Sequence, residues 1–580
     1  MFLPTTPEEL KEQGWEELDI ILVTGDAYID SPFVGVAVIG HILVDAGFRV
    51  GVVAQPDVRS NGDIRRLGKP ALFWGVTAGC LDSMVANYTA TKKRRNRDDF
   101  TPGGKNVKRP DRALISYTNL IRSLPGHKAP IVLGGLEASL RRIAHYDYWS
   151  DRVRRSVLCD APAEFLLYGM ADKSVLELAE AFRSGKDPRD IRGLCYLAKE
   201  GRPDYLALPS FEEVTSNRDA FVRMFRLFYD HSDPRTAQGL CQKQDGRHLV
   251  QNPPPLPLSQ AELDAVHELP FMGDVHPFYK GQGPVKALET IRFSIPSHRG
   301  CYGECSFCSI AVHQGRTVQW RSESSILAEA RRLCAHPQFK GYISDVGGPT
   351  ANMYGFECAR KLQRGCCREK RCLYPQVCSR LPVDHDRQRV LLLKIRRIKG
   401  VKKVFVASGI RYDLLLQDKK GGMAYLEEVI RHHTSGQMKV APEHTVDPVL
   451  ALMKKPANGQ LLRFKEAFDR LNRRLRNKQF LTYYFIAAHP GCRDGDMDAL
   501  RSFVKRELKI RPEQVQIFTP LPSTYSSVMY YAEKDPFTGK GIFVEKSISG
   551  KERQKNLLVA DHGRDSGKEE RRFRKKAGRG

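Results

Sequence analysis

Three cysteines stand close together in Cys301-Tyr-Gly-Glu-Cys305-Ser-Phe-Cys308. A strand-like stretch, Ile291-Arg-Phe-Ser-Ile-Pro296, runs straight into them. Three thiolates at this spacing can hold three corners of a cubane [4Fe–4S] cluster. Such clusters normally take four cysteines, so this loop leaves one iron open to an exogenous ligand. The competing reading is a zinc site that borrows a fourth ligand from His298 or His313. Zinc sites usually pair one Cys-x2–4-Cys with a second pair far away. The spacing and the strand before it favour iron–sulfur chemistry.

A second group, Cys358, Cys367, Cys372 and Cys378, with Cys366 as a spare, is interleaved with Arg and Lys. Basic neighbours favour thiolates, so the group is a candidate tetrathiolate site for zinc or an auxiliary iron–sulfur cluster. The alternative is a set of free thiols in a surface insertion. Ten of the 14 cysteines lie between 301 and 492, which favours metal over a disulfide framework.

These residues need a frame. From 287 onward six strand candidates recur: Ile291–Pro296, Gly341–Val346, Lys403–Val406, Gln437–Val440, Tyr483–Ala488 and Gln514–Phe518. Repeated β/α units with buried parallel strands predict a barrel or partial barrel, with the site at the carboxyl ends of the strands. The cysteine loop follows the first strand. Gly347-Gly348-Pro349 follows the second, and glycines there let main chain approach a ligand. Ser408 and Arg411 follow the third, and Arg411 offers a planar fork to a carboxylate. Glu443 and His444 follow the fourth. His489, after the fifth, is a candidate proton donor, weighed against a purely structural role.

The N-terminal third alternates strand and helix: Asp19–Val23, a helix over Val36–Ala46, Phe48–Ala54, Leu72–Val76 and Pro130–Leu133, with a helix from about Leu136. This rhythm predicts a doubly wound parallel sheet. Ligands in such sheets sit beyond the carboxyl ends of the strands, so the loops 24–30 and 134–137 are the places to look. Neither contains Gly-x-Gly-x-x-Gly.

The spacing Cys-x3-Cys-x2-Cys, with Phe307 before the last cysteine, resembles the signature of the radical SAM superfamily. Gly-Gly-Pro-Thr-Ala-Asn (347–352), Ser-Gly-Ile-Arg-Tyr-Asp (408–413), Ala-Pro-Glu-His-Thr (441–445), Gly-Asp-Ala-Tyr-Ile-Asp (25–30) and Ala-His-Tyr-Asp-Tyr-Trp-Ser-Asp (144–151) resemble its YgiQ-type family, also called UPF0313. The resemblance runs from about 15 to 545. It implies a partial (β/α)6 TIM-type barrel, a [4Fe–4S] cluster on Cys301, Cys305 and Cys308, and S-adenosylmethionine on the open iron. It further implies that the Gly347–Gly348 backbone meets the SAM ammonium group, and that Ser408 and Arg411 reach its carboxylate or ribose. Phe307 would shield the cluster, and Glu443 or His444 would touch SAM or substrate. Pro349 stands where an acidic residue is usual, which assigns that contact to backbone. The implied reaction is reductive cleavage of SAM to a 5′-deoxyadenosyl radical, with flavodoxin or ferredoxin as electron donor and an unidentified substrate.

The N-terminal domain resembles the cobalamin-binding partner of some radical SAM enzymes. That module is recognised by Asp-x-His-x-x-Gly, whose His ligates cobalt. Here the loop reads Asp30-Ser-Pro32-Phe-Val-Gly35, with proline in the histidine slot; this argues against a His-on cobalamin site, and so against cobalamin, while His-off binding stays open.

Composition sets the remaining expectations. At 580 residues, 41% hydrophobic and 28% charged, the chain reads as a multi-domain globular protein. No run of about 18 apolar residues predicts a membrane span, and the first residues do not read as a signal peptide. A cytoplasmic protein without a membrane partner is expected. The domains expected are 1–280, a Rossmann-like α/β unit with a Pro-rich connector over 251–270; 287–556, the radical SAM core with the Cys-rich insertion 358–378; and 557–580, a basic disordered tail. The net charge of +26 suggests polyanions such as RNA, against a merely solvated surface for basic runs such as 92–112. Residues 141–155 mix Arg with aromatics; they read as an amphipathic helix with buried rings, against a base-stacking surface. Three function classes follow: a methylthiotransferase-like enzyme acting on RNA, a radical enzyme of small-molecule or peptide metabolism, and a non-catalytic metal-stabilised RNA-binding protein.

Overall fold

The computed structural model describes residues 1–559. Five short parallel strands form its N-terminal frame: β1 (Ile20–Thr24), β2 (Val50–Ala54), β3 (Phe73–Thr77), β4 (Ile131–Gly134) and β5 (Phe165–Leu167). They lie in the order β2-β1-β3-β4-β5. β1 and β2 are buried along their whole length, as expected of strands covered on both faces. The order reverses at β1, so the crevice beyond the carboxyl ends of β1 and β3 is the switch point where such sheets bind ligands.

The sheet does not end at β5. Leu194–Ala198 joins it antiparallel, followed by Arg247–Gln251, Leu240–Gln244 and Leu206–Leu208, making nine strands. The hairpin 240–251 turns at Asp245-Gly246, both at positive φ, the geometry of a tight two-residue turn.

The second frame is built from β6 (Ser294–Pro296), β7 (Asp345–Gly347), β8 (Lys403–Val404), β9 (Gln437–Glu443), β10 (Phe480–Ala487) and β11 (Gln514–Ile517). Each overlaps a predicted strand. β6 pairs with β7, Tyr342–Ile343 pairs with β8, and β9, β10 and β11 pair in turn, every pairing parallel. Ile410, just past β8, bridges to Val440 of β9. The result is a parallel array in chain order, made of four ladders in three short sheets. The first predicted strand loses its start to a helical turn, Leu288–Ile291.

Three other expectations are corrected. Residues 141–155 form a strand pair, His145–Asp147 with Arg152–Arg154, and not a helix. Tyr146 and Tyr148 are nevertheless buried. The basic run 92–112 is in part internal: Arg109 is fully buried against Asp26 at 2.7 Å and Asp98 at 3.0 Å. Lys92–Arg97 stay exposed. The expected tail begins inside a helix, Ile548–Val559; residues 560–580 lie outside the described residues.

The two frames have separate cores, and the C-terminal residues Phe518, Tyr525, Val528, Met529 and Tyr530 join that of the N-terminal unit. Tyr525, from the C-terminal helix Tyr525–Ala532, packs edge-on against Phe225 of the N-terminal unit, with ring centroids 4.8 Å apart. The Pro-rich connector also folds back. It carries the helix Gln260–Glu268, and Asp274–Val275 pairs with Ile29–Asp30.

Candidate functional site

The cysteine loop leaves β6 through the two-residue strand His298–Arg299. It then turns at Gly300, where φ is +83° and a Cβ would stand 2.3 Å from the Thr317 carbonyl oxygen. Only glycine fits such a backbone without strain. Further in, Glu304 also adopts positive φ and is buried. It accepts a hydrogen bond from the Tyr229 hydroxyl at 2.9 Å and lies 3.5 Å from the Arg316 guanidinium. Its carbonyl oxygen accepts from Arg371, out of the Cys-rich insertion. The loop is thus clamped from both sides.

The thiols face one another around Gly303. A Cβ built there would meet Cys301 Sγ at 3.3 Å and Cys305 Sγ at 3.5 Å. The missing side chain leaves a cradle between two sulfurs. Arg411 aims into it, with Nη1 3.7 Å from Cys305 Sγ. The rest of its guanidinium is held by both oxygens of Asp413. The Thr350 hydroxyl lies 3.7 Å from Cys301 Sγ. Burial raises the Cys301 thiol, with Cys305 adding to it. Burial pushes the Cys308 thiol up to about 12, with Cys305, Cys301 and Glu443 adding. Thiols so placed are protonated without metal and must release protons to bind it.

Gly347 and Gly348 end β7 beside this loop. A Cβ at Gly348 would come within 2.6 Å of His298 Nε2, and one at Gly347 within 3.1 Å of Ser408 Oγ. Ser408 donates its hydroxyl proton to Asp345, which also accepts from the Ala407 N–H at 2.8 Å. Its oxygen therefore faces outward as an acceptor. Phe307 packs on both frames, 6.3 Å edge-on from His489.

The rim candidates separate. Glu443 stands at φ +69° at the end of β9. Burial raises its carboxyl, opposed by Lys455, 3.8 Å away, and Arg411. His444 is buried; its Nδ1 accepts from the Val446 N–H at 3.1 Å, and its Nε2 lies 3.6 Å from Cys492 Sγ. His489 is buried with both ring nitrogens engaged, by Pro490 O at 2.8 Å and Ser526 Oγ at 2.7 Å. Burial lowers it to about 4, so it stays neutral.

In the insertion, Cys358, Cys372 and Cys378 pack against one small apolar core with Cys301. Cys367 is exposed and accepts from Arg360 at 2.8 Å. Cys366 sits apart, its N–H donating to Asp233 at 3.0 Å. Among the described residues no three His, Cys, Asp or Glu side chains gather around a point where a single ion would sit, and this includes the 301–308 trio.

Above the site is a cavity of about 580 Å³, bounded by both frames. Thr24, Asp26, Thr77, Cys80 and Gly134 line it from the N-terminal sheet, and Ile310, His313, Gly347, Gly348 and Ser408 from the core. This is the crevice at the switch point. Sequence reasoning found both rims but not their meeting. It also missed the Tyr229–Glu304–Arg371 clamp, Asp413, Asp345 and Thr350. Asp413 lies two residues from Arg411 and was open to inspection; Tyr229 carries no local signal.

A family profile described as "Radical SAM N-terminal" matches residues 2–294. A UPF0313 protein of Fusobacterium nucleatum is 54% identical over 96% of this chain and 98% of its own. Others, from Thermotoga neapolitana and Methanocella arvoryzae, are 50% and 47% identical, over 97% and 95% of this chain and 100% and 92% of their own.

The chain belongs to the UPF0313 family.

Solved structures of two radical enzymes are similar to this UPF0313 chain. One is the radical S-adenosylmethionine methyltransferase TsrM from Kitasatospora setae with cobalamin and [4Fe-4S] cluster bound. It has TM-score 0.49 and 15% identity, over 87% of this chain and 76% of TsrM. The other is the cobalamin-dependent S-adenosylmethionine radical enzyme OxsB with aqua-cobalamin bound. It has TM-score 0.48 and 10% identity, over 92% of this chain and 58% of OxsB. These neighbours correct the expectation against cobalamin, since both hold it. The proline at 32 tested only for a cobalt-ligating histidine in one loop; it carried no information about the cavity beside it.

Proposed function

We propose that this chain is a radical SAM enzyme whose [4Fe–4S] cluster is held by Cys301, Cys305 and Cys308, at the carboxyl rim of a partial (β/α)6 barrel. The observation that carries the reading is the Gly303 cradle, with two thiol sulfurs 3.3 and 3.5 Å from the absent Cβ and Arg411 Nη1 also at 3.3 Å. The cluster, with SAM on its open iron, would supply one-electron reductive cleavage of the sulfonium and, through it, hydrogen-atom abstraction from substrate.

The chain's own residues do the rest. Arg411 places positive charge beside the sulfurs, and Asp413 holds its fork fixed. SAM would be held by the Gly347 and Gly348 backbone at its ammonium group and by Ser408 at its carboxylate or ribose. Phe307 keeps water from the sulfurs. Glu443, raised by burial at the rim, is placed to touch SAM or substrate. A flavodoxin or ferredoxin supplies the electron.

The test is anaerobic loading with iron and sulfide, then SAM and dithionite, with 5′-deoxyadenosine measured. A fully loaded protein that makes none overturns the proposal.

A further inference from the structure

The charged groups lining the interdomain cavity are Asp26, Asp172, Asp345 and Arg299, and each is already partnered. Arg299 pairs with Asp172 at 2.9 Å, Asp26 with Arg109 at 2.7 Å, and Asp345 accepts from Ala407 and Ser408. Most of the remaining wall is apolar, built from side chains such as Leu22, Val38, Phe73, Leu133 and Val175. Away from the Gly347–Gly348–Ser408 edge proposed for SAM, a charged ligand would leave water for a wall with no free counter-charge, which is costly. The cavity is open to solvent over part of its boundary, and its volume of about 580 Å³ is within the usual small-ligand range, too small for the body of a polyanion such as RNA.

Three imidazoles line the cavity, His267, His298 and His313; the first two are buried, each with one unpartnered ring nitrogen, and His313 is the most accessible of the three. Its Nδ1 meets Ser139 Oγ at 3.0 Å. That hydroxyl gives its only proton to the Gly135 carbonyl at 2.9 Å and accepts the Gly169 N–H at 3.0 Å. Its last lone pair therefore takes the Nδ1 proton of His313, and Nε2 is left as a bare acceptor. Among the described residues Nε2 has no hydrogen-bond partner. Gln314 beside it accepts from the Gly300 N–H at 3.1 Å, so its amide position follows the cysteine loop.

We propose that this cavity is the substrate chamber, that it takes a small, uncharged, mainly apolar molecule bearing one O–H or N–H, and that His313 Nε2 receives that group. The proposal rests on the radical SAM reading, because Gly347, Gly348 and Ser408 form part of the same wall. The chamber deepens it by naming a substrate class and setting RNA aside.

The test uses two fluorescent probes of one shape. N-phenyl-1-naphthylamine is neutral, apolar and carries one N–H; 8-anilino-1-naphthalenesulfonate adds a negative charge. The full chain should bind the neutral probe at one site, at least about tenfold tighter than the sulfonate, the equivalent of 1.4 kcal/mol. His313→Phe should weaken the neutral probe by about three- to tenfold, the size of one hydrogen bond. Ala171→Phe, which fills the cavity from its wall, should abolish the site. Circular dichroism and 5′-deoxyadenosine formation are measured on each variant. Equal affinity for both probes, unchanged binding in His313→Phe, or binding that survives Ala171→Phe in a folded protein would overturn the chamber. Probe binding without any 5′-deoxyadenosine in the loaded parent would instead sink the radical reading and leave the ligand site standing.

Discussion

Gly300 and Gly315 flank the cysteine loop and invite a matched comparison. Both hold left-handed backbone, at φ +83° and +91°. An L-residue in that region costs about 1–2 kcal/mol. They differ in space: an added Cβ at Gly300 stands 2.3 Å from the Thr317 carbonyl oxygen, whereas at Gly315 nothing lies within 4 Å. The obstacle at Gly300 is main chain, so no rotamer change relieves it, and forcing volume into a packed site adds about 1–3 kcal/mol. Gly315→Ala should therefore cost about 1–2 kcal/mol and Gly300→Ala about 2–5 kcal/mol. The Gly300 cost falls on the residue before Cys301 and moves its sulfur. A chain of this size does not unfold in one step, so the loop is read locally. Hydrogen exchange over 298–318 and iron per chain after anaerobic loading are the measurements. Gly315→Ala should keep most of its iron and Gly300→Ala should lose most of it. Equal iron and equal exchange in the two variants would refute the argument that the Thr317 carbonyl, and not the backbone angle alone, demands glycine at 300.

The other predictions concern the ligands, the clamp and one buried amine. Cys301→Ala should bring 5′-deoxyadenosine below detection, while Cys372→Ala, outside the loop, should lower it by no more than about tenfold, the scale of a change in a metal site's surroundings. Tyr229→Phe removes one of the partners of buried Glu304; a loss of about 1–3 kcal/mol is expected, seen as faster iron release to a chelator with the helical signal unchanged. Lys551 is buried, its ammonium donating to the Tyr148 and Tyr530 hydroxyls at 3.0 and 2.8 Å. Burial lowers it to about 8 from an ordinary 10.5. Between those values the unfolded chain holds the extra proton, so stability rises with pH across that window. Melting temperatures should climb from pH 8 to 10 more steeply in the parent than in Lys551→Met; parallel curves would remove Lys551 as the cause.

The parts of this protein that were legible in the sequence are those whose chemistry is local along the chain. The cysteine loop declares itself within eight residues, and the strands β6 to β11 declare themselves as short runs with apolar residues at the buried positions, which alternate along β9 and β10. The Asp245-Gly246 turn was equally readable, yet the hairpin it closes went unread and with it the extension of the sheet to nine strands. The clamp on Glu304 was not readable at all. Tyr229 lies 75 residues before it and Arg371 67 after it. Nothing in a local pattern marks such partners, because each looks like an ordinary helix or loop residue until the fold joins them. The run 141–155 failed for a related reason. Aromatic burial was read correctly, but Tyr146 reaches the core from a strand pair, and Tyr148 from the turn after its strand, and alternation over three residues is too short to tell from a helix.

The net charge of +26 averages over places that differ. Arg109 and Arg141 are buried counter-ions to Asp26, Asp98, Asp82 and Asp147, and so serve the interior of the N-terminal frame. Lys361 is buried against Glu357 beneath the cysteine loop. Arg411 turns toward the thiols themselves. Each of these cations enters the total with the same weight as exposed Lys92–Arg97, yet none is available to a polyanion in solution. The cavity between the frames shows the opposite balance, with every wall charge neutralised by a neighbour. Charge at the surface therefore says little about what the chamber accepts. The wall does, and it selects for an uncharged molecule able to lie between the switch point of one sheet and the cysteine loop of the other.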